Sequence, residues 1–108
     1  MPSEIRITEH FRKEFKRISK KYASLPSDME DLVNSLKENP TMGTPLGSDV
    51  YKIRLAIKSK NKGKSGGARI ITYLVDKNTI VYLLSIYDKS EKVSVSDSEI
   101  RAMLQSSV

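Results

Sequence analysis

Between residues 50 and 57 the chain alternates without a break: Tyr51, Ile53, Leu55 and Ile57 fall on one side, and Val50, Lys52, Arg54 and Ala56 on the other. A side-chain period of two belongs to a strand with one buried face, here the Tyr51 face. The runs 68–75 (ARIITYLV) and 79–86 (TIVYLLSI) are rich in β-branched and aromatic residues and are predicted as two more strands. The intervening DKN reads as a hairpin turn. Near the N-terminus, Ile5 and Ile7 alternate with charged neighbours, which predicts a short first strand over about residues 3–8. The period then changes. Phe11, Phe15, Ile18 and Tyr22 recur at helical spacing, so a helix is expected to open at Thr8 or Glu9. Pro26 ends the connection, and Ser27 followed by Glu30 has the form of a capping box for a second helix. Met29, Leu32, Val33 and Leu36 make its buried face, and Pro40 closes it. The stretch PTMGTPLGSD is rich in turn residues and reads as a surface loop. Ser96 with Glu99 forms a second capping box ahead of Ile100, Met103 and Leu104, a short C-terminal helix.

The order β-α-α-β-β-β-α predicts an α+β fold, with a helical hairpin packed on one face of a small, mostly antiparallel sheet. A chain of 12.2 kDa supports one core, so residues 1–108 are read as a single domain. The second sheet face is expected to lie open, with Val50, Lys52, Arg54 and Ala56 looking out across it.

Charge changes this picture. Residues 1–49 carry eight basic and eight acidic groups, and residues 76–108 carry four basic and five acidic. The stretch 50–75 holds Lys52, Arg54, Lys58, Lys60, Lys62, Lys64 and Arg69 with no acid, and so accounts for the whole excess of +6. Seven like charges repel one another, and a polyanion offsets that cost most readily. Nucleic acid is one such partner and an acidic protein another. The bland alternative is a solvated lysine-rich turn. There is no cysteine, which excludes disulfides and thiolate chemistry, and His10 is the only histidine. No metal or other cofactor is expected. The N-terminal MPSEIRITEH has no apolar signal core, nothing approaches a membrane-spanning run, and a cytoplasmic location is the default expectation.

Arg54 and Arg69 lie in predicted strands, where a guanidinium offers a fork of donors suited to phosphate. Arg54 could also simply occupy the solvent side. The segment YDKSEK after the last predicted strand supplies Tyr87, Lys89 and Glu91, which could stack on a base, stabilise charge or move a proton. A polar turn is the competing reading. The sequence GKSGG lacks the spacing of a phosphate-binding loop, and Asp28, Asp31 and Glu38 lack the clustering of a two-metal nuclease. His10 has no motif around it. These groups suit one reaction above others: RNA carries its own nucleophile, the 2′-hydroxyl, so alignment and charge stabilisation suffice.

The stretch VYKIRLAIKSKNKGKSGGARIITYLV, followed by YLLSIYDKSEKVSVSD, resembles the toxins of the RelE/HigB branch of the RelE/ParE superfamily. Lys52, Ile53, Arg54, Ala56, Lys58, Lys60, Lys62, Gly66, Gly67, Arg69, Ile70, Ile71 and Tyr73 carry the likeness, with Tyr87, Lys89 and Glu91 at its end. The resemblance implies a RelE-like fold and the toxin of a bacterial type II toxin–antitoxin system. Such a toxin cleaves mRNA in the A site of the 70S ribosome without metal, is neutralised by a cognate antitoxin, and meets operator DNA only through the antitoxin complex. It further implies phosphate and transition-state contacts from Arg54, Lys58, Arg69 and Lys89, and anchoring of RNA or ribosome by Lys52, Lys60, Lys62 and Lys64. Tyr87 would stack on or orient the message, and Glu91 would be a base. A ParE-like inhibitor of DNA gyrase and a non-catalytic module binding RNA or acidic protein are the alternatives.

Overall fold

In the computed structural model, which describes residues 3–60, 66–75, 79–92 and 94–107, the chain runs β1 (Glu4–Ile7), α1 (Glu9–Ser19), α2 (Leu25–Glu38), β2 (Thr44–Gly47), β3 (Val50–Leu55), β4 (Ala68–Val75), β5 (Ile80–Asp88) and α3 (Asp97–Ser107). A single 3₁₀ turn at Lys58–Lys60 follows β3. The five strands form one sheet in the order β1-β5-β4-β3-β2, with β1 parallel to β5 and every other pair antiparallel. The expected α+β architecture, a helical pair on a mostly antiparallel sheet, is thus the observed one. The DKN turn, Lys62 and Lys64 lie outside the described residues.

Several local expectations are corrected. The stretch read as a surface loop contains an edge strand: Thr44–Gly47 pairs with β3 and is exposed throughout. It has no alternation to betray it, and Pro45 is tolerated because an edge strand has an unpaired side. The turn that follows holds Gly47, Ser48 and Asp49 at positive φ. The second helix begins at Leu25, ahead of the Ser27/Glu30 pair, with Pro26 inside its first turn, where a missing N–H costs nothing. Ser27 is therefore no cap, and its hydroxyl donates to the Ser24 carbonyl at 3.0 Å. The C-terminal capping box does form: Glu99 N–H donates to Ser96 Oγ and Ser96 N–H to Glu99 Oε1, each at 3.2 Å.

Helices pack on both faces of the sheet, the second of them covered only in part. Phe11 and Ile18 of α1 and Leu25, Met29, Leu32 and Leu36 of α2 pack on Ile53, Leu55, Ile70, Val81, Leu83 and Ile86. The opposite face is not left open. Ile100 and Met103 of α3 bury Val50, Ile71, Leu84 and Tyr87 beneath them. Val50, expected to look into solvent, is buried for this reason.

Strand β5 changes phase midway. Ile71 faces Ser85 but Thr72 faces Leu83, so Leu84 is an extra, unopposed residue. Up to Leu83 the odd-numbered residues of β5 face the helical hairpin, and beyond the bulge Ile86 does. Thr8 holds this bend. Its hydroxyl donates to the carbonyls of Leu83 at 2.8 Å and Leu84 at 3.3 Å, and accepts from Phe11 N–H to cap α1. One buried side chain thereby joins the end of β1, the start of α1 and the bulge. Thr8→Val removes all three bonds while preserving shape, and is expected to lower unfolding stability by about 2 kcal/mol. Thr8→Ser should retain most of it. Paired chemical denaturation curves decide the matter, and equal midpoints for wild type and Thr8→Val would refute the role.

Candidate functional site

The register of β3, β4 and β5 places Arg54 opposite Arg69 and Arg69 opposite Tyr87, a single row across three strands on the face that α3 partly covers. The next row on this face is Lys52, Ile71 and Ser85. Two arginines directly opposite each other are unfavourable in a sheet. Arg54 is exposed and Arg69 is buried, at 4% exposure. Arg69 is steadied locally, its Nη1 donating to the Ala68 carbonyl at 3.1 Å. The Lys89 N–H donates to the Gly67 carbonyl at 3.1 Å, which carries the pairing one step past Asp88. Gly67 is required there: a Cβ at this position would stand 2.0 Å from the Leu55 carbonyl oxygen.

Tyr87 is an inward ring with a stranded hydroxyl. Its Oη is buried and has no hydrogen-bond partner among the described residues. Burial raises its pKa, and the nearby cations Arg69 and Lys92 only partly oppose that. A phenol is protonated at neutral pH in any case, and burial moves it further from ionising, so Tyr87 is a donor. Lys92 pairs with Glu99 in the first turn of α3, so a charge pair stands beside the phenol.

Asp88, one residue on, faces the other way. It is fully buried, and its carboxylate accepts from Lys60 Nζ at 2.6 Å, Tyr22 Oη at 2.8 Å, Ser90 N–H at 3.0 Å and Ser90 Oγ at 2.8 Å. Lys21 lies 3.7 Å away, and the Lys60 ammonium sits over the Tyr22 ring. Burial alone would raise the Asp88 pKa, but these donors overcome it and hold the carboxyl well below the usual range. Nearby, Lys58 N–H donates to Asp28 at 3.0 Å and the Lys58 ammonium lies 3.8 Å from Asp31.

Comparison with known proteins places this geometry. A family profile described as the RelE toxin of the RelE/RelB toxin–antitoxin system matches residues 7–107. The chain belongs to the RelE toxin family. Solved structures share the RelE fold at low identity. A free-state mutant of Escherichia coli toxin RelE aligns at TM-score 0.64 and 16% identity, covering 97% of each chain. The Mycobacterium tuberculosis RelBE2 toxin–antitoxin complex aligns at TM-score 0.59 and 18% identity, over 82% of this chain and 99% of that one. The intact E. coli RelBE complex aligns at 0.59 and 17%, over 80% and 95%. As a RelE toxin the protein is the toxic half of a toxin–antitoxin pair. Among the described residues, no helix is long and apolar enough to cross a membrane, and no group of three His, Cys, Asp or Glu side chains is placed to hold a metal ion.

Within this RelE-family chain the residues singled out from sequence divide between the two faces. Arg54, Arg69 and Tyr87 share a row, with Lys52 in the row beside it. Strand β5 runs to Asp88, so Tyr87 belongs to the sheet rather than to a following turn. Lys58 and Lys60 turn to the helical hairpin, and the Lys60 side chain is only 8% exposed. Glu91 pairs with Arg17 at 3.2 Å and Lys21 at 3.8 Å, also on the hairpin side. Lys92 and the Asp88 cluster escaped the sequence reading. Nothing in the sequence spacing flags Lys92, and Asp88 looks like a neighbour of Tyr87 until the alternation of faces is followed.

The sign of the Asp88 effect sets its pH dependence. A carboxyl whose folded pKa is depressed adds stability above its unfolded value, about 3.9, and that stability is lost as pH falls through the folded value. Asp88→Asn is expected to cost about 3 kcal/mol at neutral pH by leaving the Lys60 ammonium without its counter-charge. Its stability should also fall less steeply than wild type below about pH 4. Denaturation curves across pH 3–7 test both, and parallel profiles for the two proteins would rule out Asp88 as the group responsible.

Proposed function

We propose that the protein is a ribosome-dependent endoribonuclease that cleaves mRNA in the ribosomal A site, with the Arg54–Arg69–Tyr87 row as the centre of its active site. The observation that carries the reading is the row itself: two guanidinium groups and a phenol aligned across rigid strands of a RelE fold. In the reaction the message 2′-hydroxyl gives its proton to water as its oxygen attacks the adjacent phosphorus. The bond to the 5′-oxygen breaks, and that oxygen takes up a proton from water as it leaves, so no net proton is gained or lost. The products are a 2′,3′-cyclic phosphate and a 5′-hydroxyl. Arg54 and Arg69 neutralise the charge that builds on the phosphoryl oxygens. Tyr87, a protonated phenol whose ionisation burial further disfavours, donates a hydrogen bond to a phosphate or leaving oxygen rather than acting as a base. Lys52 and Lys89 add cationic character at the rim. The cognate partner is a RelB-type antitoxin, and the ribosome supplies the bound message.

Lys58, Lys62 and Lys64 are assigned contacts to RNA in this scheme. Lys60 acts instead as a strut, because its ammonium is already neutralised by Asp88. Glu91 serves as a base only after leaving Arg17. Arg69→Ala or Arg54→Ala is expected to lower the cleavage rate about 10²-fold or more. Tyr87→Phe should lower it about as far while leaving ribosome binding intact. A toeprint on a translating 70S ribosome reads the message break directly. Wild-type protein that leaves the message whole would refute the nuclease reading and turn attention to gyrase.

A further inference from the structure

The helical hairpin is polarised. Residues 9–21, α1 and its extension, hold six basic and two acidic residues, whereas α2 holds four acidic and one basic. The two acids on α1 are consumed locally: Glu9 pairs with Arg12, and Glu14 with Arg17 at 3.1 Å. Arg17 and Lys21 are further engaged by Glu91 and Asp88. Lys13, Lys16 and Lys20 remain. All three are exposed, and none is in an ion pair among the described residues. At 3.6 residues per turn they fall in one narrow stripe, opposite the buried Phe11 and Ile18. The stripe is about 10 Å long and ends beside the Lys21–Asp88–Lys60 cluster, at the end of the sheet where Tyr87 and Gly67 stand.

We infer that Lys13 and Lys16 of α1, with Lys20 at its C-terminal cap, form a second RNA-binding surface, which grips the phosphate backbone of folded RNA away from the catalytic row. The inference deepens the endonuclease reading by naming a contact with the ribosome's own RNA. Phosphate is favoured over an acidic protein by what surrounds the stripe. A protein interface is built around a buried apolar or aromatic centre and is depleted in lysine. The exposed large apolar residues among those described are Ile7 and Leu46, and neither is on α1. Phosphate contact needs no such centre, and three lysines on one helix face supply it as point charges. The acidic α2 surface gives the contact a direction, repelling the same polyanion from the other helix.

The test titrates labelled protein with purified 70S ribosomes at several KCl concentrations, for wild type and for the triple variant Lys13→Ala, Lys16→Ala, Lys20→Ala. Loss of three phosphate contacts should weaken binding and lower the log–log salt slope by about 2. The melting temperature should stay unchanged, because the three side chains are exposed. A control variant on α2, Glu30→Gln with Glu38→Gln, should not reduce the slope. An unaltered slope in the lysine variant would overturn the inference. So would retained ribosome binding together with lost binding to polyglutamate, which would assign the stripe to an acidic protein. Message cleavage is followed in the same samples. Its absence in wild type would sink the nuclease reading, while the slope would still report on the stripe.

Discussion

The arrangement of this protein turns on one extra residue in β5. Leu84 has no partner across the ladder, and its presence shifts every later side chain of the strand to the opposite face. Were the same residues to alternate regularly past Leu83, Tyr87 would point into the helical hairpin and Asp88 would lie on the face of Arg69. With the bulge, the phenol joins the guanidinium groups and the carboxylate is sent to the far side. Thr8 ties this bend to the first turn of α1, so the phase of the strand and the seating of the helix are set by the same hydroxyl.

The sheet then acts as an electrostatic partition. On the hairpin side Asp88 and Glu91 gather Lys60, Lys21 and Arg17, so cations near them are already satisfied. On the other side Arg54 and Arg69 oppose each other in the register, with no acid in the row. A surface count of positive charge misses this distinction. Lys60 belongs by sequence to the lysine run, yet its side chain is largely shielded and paired. Lys13, Lys16 and Lys20 come from a segment whose formal charge balances to zero, yet they are in no ion pair among the described residues, because the acids of α1 are engaged by Arg12 and Arg17.

Much of this was legible in the sequence, and the exceptions have physical reasons. Strand β3 announces itself by strict alternation, α1 by its helical spacing, and the start of α3 by the Ser96/Glu99 pair. Strand β2 does not, because four exposed edge residues need no apolar pattern. The start of α2 was misplaced because Pro26 is as compatible with a helix's first turn as with a loop. The covered second face was missed because Ile100 and Met103 are too few to reveal which surface they bury. The row of Arg54, Arg69 and Tyr87 needed the register, and the register depends on a bulge that a run of alternating and contiguous apolar residues conceals.

Two local costs meet in this row. Arg54 faces Arg69 although like charges across a strand pair cost stability. Tyr87 buries a hydroxyl that no described residue satisfies, a penalty of about 1–3 kcal/mol. Either cost could be removed by one substitution, a threonine for Arg54 or a phenylalanine for Tyr87, without disturbing the fold. Small domains have about 5–15 kcal/mol of stability in total, so such costs are not trivial. The Thr8 bonds and the Asp88 cluster offset them from the same strand, on either side of the row. Costs of this kind, borne on rigid strands at the residues that carry the chemistry, are what a functional row is expected to show.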